Sequence, residues 1–142
     1  VWLSIICFVM IGALLAFLLF NFSPAKVFPG DALTYMIGTL IAIVAILGNF
    51  EKIAVFFFIP YIIEVVLKSR GGLEKESFGK LLDDGSLDLK HSKIYSLNHL
   101  SIYLMKKFGV KPTERRVVYS IWGLQFLVIV LGFLIFRGNL TV

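Results

Sequence analysis

Apolar and polar positions fall in blocks along this chain. Four apolar runs stand out, at residues 1–20, 32–50, 53–67 and 117–136. About 20 apolar residues suffice to cross a bilayer as a helix, and the first run carries no charge. The third run is short and interrupted by Pro60, which predicts a kink, because proline removes one helix hydrogen bond and crowds the preceding turn. Gly38 and Gly48 in the second run are small enough to let neighbouring helices approach. Polar punctuation separates the runs: a break at 21–31, a tight turn expected at Glu51-Lys52, and a long region at 68–116. The pattern predicts an all-α membrane protein with about four transmembrane helices, forming part of one polytopic domain over residues 1–142.

The long polar region has its own periodicities. Phe78 to Leu82 and Ser86 to Lys90 flank Asp84-Gly85, a dipeptide that favours a two-residue hairpin turn. Leu97, Leu100, Leu104 and Phe108 recur at helical spacing, while Asn98, His99, Ser101, Lys106 and Lys107 occupy the other faces. This predicts an amphipathic surface helix, with Gly109 as its C-cap and two lysines suited to the dipole of its last turn. Thr113 is placed to cap the fourth run, with Glu114 in its first turn.

Composition changes the picture in two ways. The chain is 58% hydrophobic, above the roughly 45–50% of a soluble domain. Its net charge is +5, and 11 of its 14 Lys and Arg residues lie in 68–116. Basic residues beside membrane segments mark the cytoplasmic side and attract anionic headgroups or phosphate-bearing substrates, so nucleic acid is not an expected partner. Counting crossings backwards puts the 21–31 break on the same, cytoplasmic side, where the two polar elements could meet. Cys7 lies alone inside an apolar run, which excludes a disulfide and a thiolate zinc cluster. The chain opens on Val1 with no basic segment before the apolar run, which argues against a signal peptide and suggests that something longer precedes it.

The break at 21–31 holds the sole acid of the first fifty residues, Asp31. Its pattern Asn21-x-x-Pro24-Ala25-x-x-Phe28-x-Gly30-Asp31, at the junction of two apolar runs, resembles a signature of the polyprenyl-phosphate N-acetylhexosamine-1-phosphate transferases, glycosyltransferase family 4. Leu47-Gly48-Asn49-Phe50-x-Lys52 and Phe56-Phe57-Phe58-Ile59-Pro60 further resemble its dolichyl-phosphate GlcNAc-phosphotransferase branch. The family's aspartate pair, its later Asn/Asp motif and its His-containing loop motifs are not matched. Asp83-Asp84 reads as part of the hairpin turn, and His91 and His99 read as solvated loop and helix-face residues. The resemblance therefore implies the C-terminal portion of an enzyme that transfers a sugar-1-phosphate, GlcNAc-1-phosphate in that branch, from a UDP-sugar to polyprenyl or dolichyl phosphate with release of UMP. It implies Mg²⁺ as cofactor and an active-site side facing the cytoplasm. Implied partners are membrane lipids and the missing N-terminal half, and a homodimer is compatible with it. The alternative is a non-catalytic four-span protein, such as a transporter subunit or assembly factor.

Each candidate residue has two readings. Asp31 is a Mg²⁺ ligand by resemblance, or the N-cap of the second helix. Phe28 stacks on uracil or anchors the loop at the membrane interface. Gly30 lets the backbone approach a ligand, or supplies a turn conformation. Asn21 hydrogen-bonds the loop backbone and shapes the substrate site, or contacts the nucleotide directly. Arg70 contacts a diphosphate through its guanidinium fork, or anchors topology; Lys68, Lys75 and Lys80 are weaker versions of the same idea. Glu64, the one acid inside a predicted span, is a functional residue or the partner of Lys68 four positions on. Tyr119 and Trp122 fit an interfacial aromatic belt. Of two glycosylation sequons, Asn21-Phe22-Ser23 is followed by Pro24 and faces inward, and Asn139-Leu140-Thr141 lies near the chain end.

Overall fold

The computed structural model describes residues 2–22 and 24–137. Ser23 and the sequon at Asn139 lie outside them. The order is α1 (Trp2–Asn21), α2 (Asp31–Leu47), α3 (Glu51–Phe57), α4 (Ile59–Ser69), β1 (Lys80–Leu81), β2 (Leu87–Asp88), α5 (Leu97–Lys107) and α6 (Glu114–Ile135). The chain divides into two compact units, Val1–Val55 and Phe56–Val142.

In the first unit α1 packs on α2. None of the 20 residues of α1 is buried, although nearly all are apolar. A helix apolar all round and unburied by its own chain requires lipid or other helices around it. The 17 residues of α2 end at Leu47, three short of the expected boundary. The reason is a Schellman turn: Asn49 takes a left-handed φ of 54°, Asn49 N–H donates to Ile46 O (3.2 Å) and Phe50 N–H to Ala45 O (3.0 Å). The chain therefore turns at Gly48–Phe50, and Glu51 and Lys52 begin α3 rather than making the turn. A Cβ on Gly48 would meet the Phe50 ring at 1.9 Å, so a side chain there would displace that ring from the turn. Gly38, by contrast, has open space where a Cβ would stand.

In the second unit the expected kink at Pro60 is a break. α3 stops at Phe57, Phe58 is the N-cap of α4, and Pro60 sits in the first turn of α4. Proline is tolerated there because its missing N–H would have no intrahelical partner. α6 begins at Glu114 behind Thr113, as expected, and Gly132 lets Phe57 lie close: a Cβ there would meet the Phe57 ring at 2.5 Å. Gln125 donates from Nε2 to Phe57 O (3.1 Å), satisfying a carbonyl freed at the break. Thr113 is the N-cap of α6, but its side chain makes no capping bond. Among the described residues two helices, α1 and α6, are long and apolar enough to cross a membrane, and α2 is a shorter apolar helix. Predominantly helical architecture is thus observed, with two candidate spans by length and composition.

The hairpin is antiparallel, pairing Lys80 with Asp88 and Leu81 with Leu87. Its loop holds three residues, not two. Gly85 N–H donates to Leu82 O (3.0 Å), Leu82 N–H to Ser86 O (2.8 Å), and Gly85 takes φ 75°. That is a type I turn closed by a left-handed glycine, the standard geometry for a three-residue hairpin loop. Helix α5 ends as expected on Gly109 (φ 70°), with Gly109 N–H to Lys106 O (3.1 Å) and Val110 N–H to Met105 O (2.8 Å).

The face by which α5 docks differs from the periodic reading. Its buried residues are His99, Ser101 and Ile102. His99 is therefore not solvated: it is fully buried, and His91 stacks edge-on against it at 5.8 Å. Tyr95 N–H donates to His99 Nδ1 (3.4 Å), so Nε2 carries the proton and faces Phe78 O (3.4 Å). The ring joins α5 to the chain entering β1. Leu104 and Phe108 of the apolar stripe stay 41% and 76% exposed.

Candidate functional site

The loop after α1 is closed by its own backbone. Lys26 N–H and Val27 N–H both donate to Phe20 O (2.8 and 3.2 Å), which satisfies a carbonyl left free by the helix end. The Asn21 amide donates from Nδ2 to Val27 O (2.9 Å), cross-bracing the loop as its reading as a backbone-shaping residue requires. Phe28 projects from this closed loop and is 77% exposed.

The N-cap of α2 is Gly30, in an extended conformation (φ −85°, ψ 171°), and Leu33 and Thr34 N–H donate to its carbonyl (3.1 and 3.2 Å). Asp31 is therefore the first helical residue and not the cap. Its exposed carboxylate makes no hydrogen bond or ion pair among the described residues. A negative charge is favourable in that first turn, where the helix dipole is positive. The conformation of Gly30 is open to any residue, and a Cβ there would meet nothing within 4 Å. Neither a turn requirement nor packing inside the chain accounts for glycine at this position.

Arg70 belongs to the second unit, as the C-cap of α4. It is exposed and has no partner among the described residues. The chain leaves it through a tight turn in which Gly72 and Leu73 both take left-handed φ (68° and 63°). Six residues before Arg70, Glu64 resolves its two readings in an unforeseen way. Lys68 does approach it (3.7 Å), but the shorter contact comes from Leu97 N–H (2.7 Å), with Ser77 Oγ at 3.4 Å. Glu64 caps the N-terminus of α5 from another helix. Ser96, the N-cap proper, accepts from His99 N–H (3.2 Å). A serine before a helical stripe is a sequence signal for that cap; nothing local signals a carboxylate 33 residues away.

Electrostatics around the hairpin are structural. Asp84 sits well below the usual carboxylate range, first because Ser86 donates to it and then because Lys111 pairs with it (2.9 Å). Asp84 is thereby a turn residue, as read. Asp88 is lowered chiefly by its hydrogen bond from Lys106, and Glu76 by that from Lys90. Among the described residues no group of three or more His, Cys, Asp or Glu could hold a metal ion. Asp31 supplies one free carboxylate. That suits Mg²⁺, which typically takes one or two carboxylates together with phosphate oxygens and water, but does not by itself build a site.

Comparison with known proteins follows the same residues. Residues 1–49, which include the whole 21–31 loop, match glycosyl transferase family 4. The chain is 36% identical over 139 residues to a protein of Sulfolobus acidocaldarius provisionally named a UDP-N-acetylglucosamine–dolichyl-phosphate N-acetylglucosaminephosphotransferase, covering 98% of this chain and 40% of that one. It is 40% identical over 115 residues to the like-named protein of Saccharolobus solfataricus, covering 81% of this chain and 34% of that one. Similarity extends to a phospho-N-acetylmuramoyl-pentapeptide-transferase of Acinetobacter baylyi, 29% over 131 residues, covering 92% and 31% respectively. No solved structure matches. The resemblance carried by residues 21–31 is thus borne out: the chain is a relative of the family 4 glycosyl transferases. It spans at most about two fifths of the length of these curated relatives.

Proposed function

We propose that this chain forms part of a membrane enzyme transferring GlcNAc-1-phosphate from UDP-GlcNAc to a polyprenyl or dolichyl phosphate, with release of UMP. The observation that carries this reading is the Asp31 carboxylate, free and exposed in the first turn of α2, inside the segment that matches the family. A structural cap would be engaged; this group is left for something outside the chain. In this reading Asp31 is a ligand of Mg²⁺, which when bound would neutralise diphosphate charge. Phe28 offers its exposed face to the uracil ring, and Gly30 keeps the helix N-terminus open to phosphate oxygens. Asn21 holds the loop in shape. Arg70 takes diphosphate oxygens, for which a guanidinium fork is suited. Phosphoryl transfer asks mainly for positioning and charge neutralisation, which is what these groups supply.

The same reading runs α1, α2, the broken α3–α4 pair and α6 through the bilayer as four crossings. It faces the 21–31 loop and residues 68–116 to the cytoplasm, on the strength of the 11 basic residues in that region. One carboxylate does not assemble a metal and two substrates, so the 142-residue chain alone is expected to release no UMP from UDP-GlcNAc, lipid phosphate and Mg²⁺. In an enzyme reassembled with the remaining part of such a transferase, Asp31→Asn is expected to abolish UMP release with expression intact. Unchanged turnover in that variant would remove Asp31 from the metal site.

A further inference from the structure

A second site lies between α5 and α6. The periodic stripe of α5 does not dock the helix, which is held by His99, Ser101 and Ile102. Instead the stripe walls an open cleft of about 330 Å³, with Leu100, Leu104, Met105 and Phe108 on one side and Ile121 and Leu124 on the other. The polar groups in its wall, Ser101 and Ser120, hydrogen-bond each other at 2.6 Å. No unsatisfied polar atom of the wall calls for a polar ligand.

Two observations identify the occupant. The first is depth. Tyr119 and Trp122, stacked edge-on at 6.1 Å and about half exposed, flank Ser120 and Ile121 on α6. Such residues collect at the headgroup level of a spanning helix, so the cleft opens where acyl chains begin. The second is charge. Lys106 pairs with Asp88, Lys111 with Asp84, and Arg116 donates to Lys111 O. Lys107, in the last turn of α5, and Arg115, in the first turn of α6, have no partner among the described residues. Lys107 directly precedes Phe108 of the cleft wall, whereas Arg115, five residues before Ser120, is turned by the helix to the face of α6 away from Ser120, Ile121 and Leu124. An apolar trough at the interface with the unpaired Lys107 beside its wall matches an amphiphile with a hydrocarbon tail and an anionic head.

We propose that this cleft seats a hydrocarbon chain of an anionic phospholipid of the surrounding bilayer, its phosphate held by Lys107. The inference rests on α6 crossing the membrane, not on the transfer reaction. The chain, carried in nanodiscs of equal phosphatidylglycerol and phosphatidylcholine and released into mild detergent, is expected to retain one phosphatidylglycerol in native mass spectrometry. Leu104→Trp, which fills the cleft, is expected to lose it. Lys107→Gln should lower the preference for phosphatidylglycerol by about fivefold, the share of one basic residue at an anionic surface. In the unsubstituted chain, phosphatidylglycerol carrying a mid-chain diazirine should label Met105 and Ile121 above the residues of α1. Retention without headgroup preference, label spread evenly over α1 and α6, or no retained lipid would each overturn the assignment. Failure of the chain to insert into vesicles, measured separately by carbonate-resistant flotation, would overturn the membrane reading and the lipid site together.

Discussion

Glu64 offers the sharpest quantitative test of the fold. Its carboxylate accepts the first free N–H of α5 at 2.7 Å and lies within 3.7 Å of Lys68, with its side chain 25% exposed. A hydrogen bond between a charged acceptor and a backbone donor contributes about 1.5–3 kcal/mol net. The negative charge at a helix N-terminus adds about 0.3–1 kcal/mol. The Lys68 pair is one-third exposed or more on the lysine side and, as a surface pair, contributes well under about 1 kcal/mol. Glu64→Ala should therefore loosen the N-terminus of α5 by about 2–3 kcal/mol, a fall of about 30–150-fold in amide protection at Leu97, His99 and Leu100. Native-state hydrogen exchange on the chain in micelles reads those amides directly. Glu64→Gln keeps an acceptor and should lose about half as much. Lys68→Met should change the same amides by less than about threefold. If Lys68→Met matches Glu64→Ala, the helical pair and not the cap is the role of Glu64, and the reasoning fails.

Three further outcomes are expected. Gly30→Ala should leave thermal stability unchanged, since its φ is ordinary and its Cβ position open, while weakening uridine-nucleotide binding in a reassembled enzyme; a stability loss would mean that glycine serves the fold. Gly132→Ala should lower stability by about 1–3 kcal/mol, the range for overpacking, because its Cβ meets the Phe57 ring at 2.5 Å; a denaturant titration followed at Trp122 measures it. The hairpin should loosen in acid: Glu76, Asp84 and Asp88 all have lowered values in the folded chain. Their stabilisation is full above the unfolded values near 4 and drains as pH falls through the folded ones, so the exchange-protected Leu82 and Leu87 amides should open progressively below about pH 4. Protection that is flat from pH 6 to pH 2 would contradict this.

How far the fold was legible depends on the range of the interaction involved. Gly109 announced the helix end because the signal is local, and Pro60 announced an interruption, expected as a kink and found as a break. The turn after α2 was displaced because charged Glu51-Lys52 outweighed Gly48-Asn49, although asparagine readily takes the left-handed conformation that closes the helix. Asp84-Gly85 was read as a two-residue loop; the type I turn that places Gly85 last uses the same residues with one more, Asp83, in the loop. The candidate site was legible as a motif, but the motif could not say whether Asp31 capped α2. That answer needed the backbone of Gly30.

By itself the sequence determined where the apolar runs lie, which loop carries the basic charge, and that residues 21–31 form a polar break carrying the family signature. These are properties of neighbours along the chain, and neighbouring residues are what a sequence displays. Only the tertiary structure decided that Asp31 is free, that Glu64 caps a helix 33 residues away, and that α5 docks through His99 and leaves its apolar stripe open. Those outcomes depend on which groups meet across the fold. A carboxylate, an imidazole or a leucine stripe has several adequate partners, and packing selects among them.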